Sequence, residues 1–250
     1  MRVVSRTLGG LALGLLLLLC LVALAPARLL GLLLPSEQIM LGGFSGTLWR
    51  GSVSRCLVRA GPGYVHMGAV QWRLQPLSLL LFAPRLGLDS RWGAQTLSAE
   101  MVLQGQQDIS FYDLDASFSA DLVRQFVPLA LAGTLSLQLQ QLHLRDALPE
   151  QAAGRLVWQN GVWLAPDGPL PLGSYGLDFR QDPDGPLRGN VVTLSGPVEA
   201  SGTVELVGRS YDLDITVGGP NTLDSRLQQA LSLVARPEGQ AYRIKLDGEF

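Results

Sequence analysis

The spacing of apolar and polar positions divides this chain in two. From Thr7 to Ala27 twenty-one consecutive residues carry no charge, and leucine dominates the run. As a helix rising ~1.5 Å per residue, such a run covers roughly 30 Å, the thickness of a bilayer's hydrocarbon core. The pattern therefore predicts a transmembrane helix over residues 7–27. Arg2 and Arg6 precede it and Arg28 follows it. Basic residues at the start of a first span hold that end in the cytoplasm, which predicts a cytoplasmic segment over 1–6 and all later residues on the far side. A cleaved signal peptide is the competing reading, because Ala23-Leu24-Ala25 has the small-x-small spacing of a cleavage site. Pro26 directly after that site, and a run longer than the about 7 to 15 residues of a signal core, favour retention. Leu17-Leu18-Leu19 stand before Cys20 where a lipidated cysteine has small residues, so Cys20 reads as a lipid-facing or packed thiol.

Leu29 to Leu34 stay apolar, and Pro35-Ser36-Glu37 then break the run, which makes residues 28–37 an interfacial turn or stalk. From Gln38 the period becomes two, with Gly, Pro, Asn and Asp clusters every roughly eight to twelve residues, the pattern of successive antiparallel strands. Residues 38–250 are thus expected to form a mainly β domain. Val198, Ala200, Gly202, Val204 and Leu206, a turn at Gly208-Arg209, then Tyr211, Leu213, Ile215 and Val217 outline a hairpin with one apolar face. Tyr242, Ile244, Leu246, Gly248 and Phe250 repeat the pattern at the end of the chain. Leu135, Leu137 and Leu139 alternate and resume at Leu142 and Leu144 with a slip of one residue, so a β-bulge is expected at Gln140-Gln141. Asp182-Pro183-Asp184-Gly185-Pro186 is a turn by composition. Two helices are expected in this domain. One is short, near Ala120 to Ala130. The other runs from Asn221 to Val234, with Asn221 or Thr222 as N-cap and Leu223, Leu227, Leu231 and Val234 on the face toward the sheet. A glycine followed by alternating apolar positions recurs at Gly46, Gly133, Gly154 and Gly202, each read as opening a strand.

Composition narrows the function classes. Charged residues are 16% of the chain and the formal net charge is -2, so no basic stripe is present for nucleic acid. Cys56 has no second cysteine beyond the apolar run to pair with, and it reads as a small strand residue. His66 and His143 are the two histidines, and neither sits in an H-E-x-x-H pattern. Serine-hydrolase elbows and phosphate-binding loops are also missing from the sequence. Asp113 with Asp115, and Asp212 with Asp214, each share one strand face by their i, i+2 spacing and read as solvated strand faces. The tryptophans Trp49, Trp72, Trp92, Trp158 and Trp163 are mostly flanked by apolar strand residues, which makes core packing their expected role, with a groove or partner surface as the other. These readings nominate no catalytic residue, no cofactor site and no metal site.

Phe44-Ser45-Gly46-Thr47-Leu48-Trp49-Arg50-Gly51, followed by Val70-Gln71-Trp72-Arg73-Leu74-Gln75-Pro76-Leu77, resembles the general secretion pathway protein N family of type II secretion systems. Leu131 to Leu135, Gly154 to Trp158, Gly202 to Leu206 and Asp247-Gly248 extend the likeness over nearly the whole chain. The resemblance implies an accessory of the machinery that exports folded proteins across the Gram-negative outer membrane, held in the inner membrane by one span with its β domain in the periplasm. It implies no enzyme activity and no cofactor. It implies the secretin and the inner-membrane platform proteins as partners, and an elongated, twisted antiparallel sheet of AsmA-like, half-barrel type. Gly46, Thr47, Leu48, Trp49, Gly51, Trp72 and Pro76 carry the family motif, as structural or partner-binding residues. A second function class, lipid handling by an apolar trough in such a sheet, stands beside the adaptor role.

Overall fold

The computed structural model describes residues 13–14, 16–18, 20–33, 38–60, 63–80, 82–105, 108–125, 130–146, 148–181 and 185–249. The chain divides into two compact units, Met1–Ser90 and Arg91–Phe250. Both are built from antiparallel strands, as the period-two pattern requires.

In the first unit the strands are β1 (Ile39–Gly46), β2 (Arg50–Ala60), β3 (Gly63–Leu74) and β4 (Arg85–Trp92), hydrogen-bonded in that order. β4 reaches the division at its last residues. Two short helices accompany them, α1 (Arg28–Leu33) and α2 (Pro76–Leu80). Val53, Cys56 and Trp72 are buried on one face of this sheet together with Ala27, and Leu30, Phe44, Val58 and Val70 pack around them. α1 runs close over that face. A methyl group added at Gly31 would lie 2.8 Å from the Phe44 ring, so a glycine is what permits the approach. Cys56 behaves as the small strand residue expected, and burial pushes its thiol up.

Among the described residues no helix is long and apolar enough to cross a membrane. The expected span over 7–27 falls partly on residues 7–12, 15 and 19, which lie outside the described residues, as do residues 34–37 of the expected stalk. The residues described between 13 and 23 are helical, and Leu13, Leu16, Leu17, Leu18, Leu21, Val22 and Leu24 are 46% to 73% exposed.

The second unit holds β5 (Gln95–Leu103), β6 (Asp108–Ser119), β7 (Leu131–Arg145), β8 (Leu148–Ala165), β9 (Gly168–Gln181), β10 (Leu187–Ser195), β11 (Glu199–Val207), β12 (Ser210–Gly218), β13 (Arg236–Glu238) and β14 (Ala241–Glu249). Neighbours in sequence are neighbours in space, except that β14 pairs with β12 and β13 lies outside it. Residues directly opposite in an antiparallel pair share a face. The register therefore aligns Ala116, Leu137, Leu156, Leu177, Val191, Gly202, Ile215 and Ile244 in one row across eight strands. A polar row, Asp115, Gln138, Arg155, Asp178, Asn190, Thr203, Asp214 and Lys245, lies on the opposite face in the same registers. One end of the apolar face is covered by α3 (Ser225–Leu231), whose Leu227 and Leu231 are buried with Leu223 and Val198 and packed on Trp163, Val217 and Ile244. Leu137, Leu156, Leu177, Val191 and Ile215 are only half-buried.

The hairpin at Gly208-Arg209 and the C-terminal strand are found as expected. The bulge is found too, since the β7–β8 register slips between Leu139 and Gln141. A matching irregularity in β6, with Asp113 at φ 46°, was not legible in the sequence. Several expectations need correction. The second helix spans Ser225–Leu231 rather than Asn221 to Val234, and Val234, expected on the face toward the sheet, is 60% exposed. Asp224, not Asn221 or Thr222, is its N-cap, because the Asp224 carboxylate accepts the Arg226 N–H at 2.9 Å. The helix expected near Ala120 to Ala130 is a 3-10 helix over Ala120–Gln125 among the described residues. Gly133, Gly154 and Gly202 lie inside strands and Gly46 closes one, so the recurring glycines mark close backbone approach rather than strand starts. Residues 182–184 of the expected turn lie outside the described residues, but β9 and β10 pair on either side of them.

Candidate functional site

The motif residues of the first unit converge on one hairpin. Gly46 and Gly51 face each other across the end of the β1–β2 pair. Between them Thr47 donates its N–H to the Arg50 carbonyl at 2.9 Å and accepts the Arg50 N–H on its hydroxyl at 3.2 Å. Gly46 turns the chain at φ 82°, where a β-branched residue is strained. Gly51 is fixed by contact instead: a Cβ there would overlap the ring of Trp72 and lie 2.7 Å from the Thr47 carbonyl. Trp72, 3% exposed, fills this space and donates its indole N–H to the Leu48 carbonyl at 2.9 Å. The Leu74 N–H bonds the Trp49 carbonyl at 2.8 Å. Two residues later Pro76 opens α2, at the helical position where a missing N–H costs nothing.

The other side of the hairpin grips the end of the apolar helix. Leu48 donates its N–H to the Ala25 carbonyl at 2.8 Å, and the Ala27 N–H returns to the Gly46 carbonyl at 3.1 Å. Pro26 and Thr47 form a bridge between these bonds. Trp49 donates its indole N–H to the Val22 carbonyl at 2.8 Å. The Val22 carbonyl also accepts the Ala25 N–H at 3.2 Å, so the motif side chain adds a second bond at the helix end. Six of the seven motif residues thus build one joint between the first β-hairpin and the helix end, and Pro76 starts the loop beside it. Pattern reading found these residues but not their common purpose, because the bonds run over as many as 27 positions.

One cluster of polar and titratable side chains is assembled in the second unit. Register places Ser110 opposite His143 and Asp108 opposite Arg145. Ser110 Oγ lies 2.8 Å from His143 Nδ1, while His143 Nε2 is 3.5 Å from Glu150 and 3.6 Å from Asp108. The residue types match those of a nucleophile with its base and orienting acid. Ser110, however, is 2% exposed, so its hydroxyl is out of reach of any substrate. The cluster ties β6, β7 and β8 together. Sequence reading missed it because only the register joins residues at 108, 110, 143, 145 and 150. On the charged face a cleft of about 710 Å³ is lined by Asp113, Asp115, Gln138, Arg155, Asp178 and Arg188, among others. Its charges are partly paired already, Arg155 with Asp178 at 3.2 Å and Arg188 with Glu205 at 3.2 Å. Trp92, expected in the core, is 50% exposed. Trp158 is half-buried and donates to the Ala132 carbonyl at 3.1 Å, the same device Trp72 uses one glycine motif earlier.

The sequence pattern of the family described as type II secretion system (T2SS), protein N, matches residues 37–245. The chain belongs to that family. A type II secretion system protein N from Aeromonas hydrophila is 30% identical over 215 residues, covering 83% of this chain and 82% of the relative. Another from Pectobacterium carotovorum subsp. carotovorum is 23% identical over 248 residues, covering 97% and 96%. No solved structure matches. Within this protein N family member, the matched region begins at the strand that enters the signature hairpin and ends on the last long strand.

Proposed function

We propose that this chain is a structural component of a type II secretion system, held in the inner membrane by one N-terminal span. Its β domain stands in the periplasm and acts as an adaptor or assembly factor for export of folded proteins. The secretin and the inner-membrane platform proteins are its partners. The observation that carries this reading is the joint at Gly46 to Gly51. An exposed, leucine-rich helix is bonded at its end to the first hairpin of the β domain, the arrangement an anchored and oriented module needs. Family membership supports the pathway. Arg2 and Arg6 support the orientation. Strand edges offer backbone groups for docking another chain. Photo-crosslinkers at Met40 on the edge strand β1 and at Lys245, exposed on β14 beyond the three residues that pair with β13, test the partners in secreting cells. Recovery of a secretin or platform subunit is expected, and recovery of neither overturns the adaptor role.

A second reading rests on the apolar row. Leu137, Leu156, Leu177 and Val191 lie side by side and half-buried, with Ile215 one strand further on past Gly202, a surface suited to acyl chains. Organic extraction of a soluble version starting at Val22 tests it. Co-purifying lipid at a fixed stoichiometry supports lipid handling, and its consistent absence removes it.

A further inference from the structure

The first unit displays apolar side chains at a second place besides its N-terminal helix. In the loop that opens at Pro76, Leu77 is 76% exposed, Leu79 is 40% exposed and Phe82 is 90% exposed. Apolar residues scattered singly over a surface need no explanation, but a cluster this bare marks a membrane or partner contact. The loop is not slack. Ser78, buried at its centre, donates its hydroxyl to the Gln75 carbonyl at 2.6 Å and accepts the Arg85 N–H at 2.8 Å. The Ala83 N–H bonds the Ser78 carbonyl at 3.2 Å, and Gln75 and Arg85 are joined at 3.0 Å. Phe82 holds φ 52°, the left-handed conformation that glycine usually takes where a helix ends. A bulky residue in that position is costly, and its ring nonetheless stands in the open rather than against the sheet.

The position of the loop selects its occupant. Leu74, just before it, bonds the Trp49 carbonyl, and Trp49 bonds the Val22 carbonyl of the apolar helix. The bare residues of the loop therefore stand at the same end of the unit as the exposed Leu21, Val22 and Leu24. Arg28 follows the helix and Arg85 follows the loop, both exposed, as basic residues do where a chain leaves the acyl region for the headgroups. We propose that Leu77, Leu79 and Phe82 form a second membrane contact, a rigid apolar wedge seated at the headgroup and acyl boundary of the bilayer that holds the helix. The proposal rests on the membrane-anchored reading above. With two contacts the first unit is fixed in tilt as well as in distance from the lipid.

The test uses the full chain with Cys20→Ser, in which Cys56 is shielded from labelling by burial. Four variants, Leu17→Cys, Leu77→Cys, Phe82→Cys and Tyr64→Cys, carry a nitrobenzoxadiazole probe and are reconstituted in vesicles of phosphatidylethanolamine and phosphatidylglycerol. Tyr64 is exposed on β3 opposite Arg59, near the far end of β2, and the stretch from Arg50 to Arg59 puts it roughly 30 Å from the hairpin at ~3.3 Å per residue. Probes at Leu77 and Phe82 are expected to show blue-shifted emission, quenching by a shallow lipid nitroxide and loss of quenching by aqueous iodide. The Tyr64 probe keeps its iodide quenching. If the Leu17 probe is quenched from within the lipid but those at Leu77 and Phe82 are quenched by iodide, the wedge is wrong while the anchor stands. Iodide quenching at Leu17 shows the anchor itself to be wrong. Shielding of Leu77 and Phe82 from both quenchers means that protein covers the loop, which also overturns the wedge.

Discussion

At the scale of single residues, the joint depends on fit around Trp72 more than on charge. Gly51→Val places a Cβ bearing two methyl groups against the Trp72 ring and the Thr47 carbonyl, an overpacking that costs about 1–3 kcal/mol. Trp72→Ala leaves a cavity and an unpaired Leu48 carbonyl, and costs about 3–5 kcal/mol. Both are read as lowered melting temperatures of the full chain in detergent, with Trp72→Ala the larger drop. Tyr175 gives a test in the alkaline range. Its hydroxyl faces the Leu172 and Val198 carbonyls at 3.0 and 2.9 Å, and burial pushes its pKa up to about 12 from 10.0. A group whose folded pKa is raised contributes stability that is complete below the unfolded value and is lost as pH climbs through the folded one. Stability should therefore fall between pH 10.0 and about 12, and Tyr175→Phe should flatten that fall in urea melts across the range.

At the scale of elements, α3 shows how a cap decides a boundary. Arg226 beside Asp224 holds the Asp224 carboxyl below its ordinary value. For a depressed carboxyl the contribution is present above the unfolded pKa and disappears as pH falls through the folded one. Asp224→Ala should thus lower the melting temperature at neutral pH, and the gap to the unchanged chain should close in acid. Periodicity made the strands legible because one face of each meets water and the other does not. The slip at Gln140 was legible for the same reason: a shift of one residue would otherwise turn Leu142 and Leu144 to the wrong face. The start of α3 was not, since Asn221, Thr222 and Asp224 are all good caps and only the packing of Leu223 outside the helix chooses among them. α2 was missed because five residues opened by a proline carry no helical period. Trp92 was misplaced because it closes β4 between Arg91 and Gly93, where alternation no longer says which side is covered. The motif residues were found by likeness, but their joint with Val22 and Ala25 depends on long-range bonds that local pattern does not encode.

At the scale of the whole molecule, the second unit is built almost entirely from neighbour-to-neighbour pairing. Each strand leans on the next, so local stability should follow strand length and the number of partners rather than one common core. β7, β8 and β9 have 15, 18 and 14 residues, and each is paired on both sides. β13 has three residues and a single partner. Hydrogen exchange should be slowest in β7 to β9 and fastest in β13. Uniform protection across the unit would mean that it opens only as a whole.

The bonds from Leu48, Gly46 and Trp49 to the stretch between Val22 and Ala27 fasten the leucine-rich helix directly to the first hairpin. Any torque or pull on that helix is delivered as motion of β1 and β2, which makes the junction a stiff coupling able to carry force rather than a tether that merely limits distance.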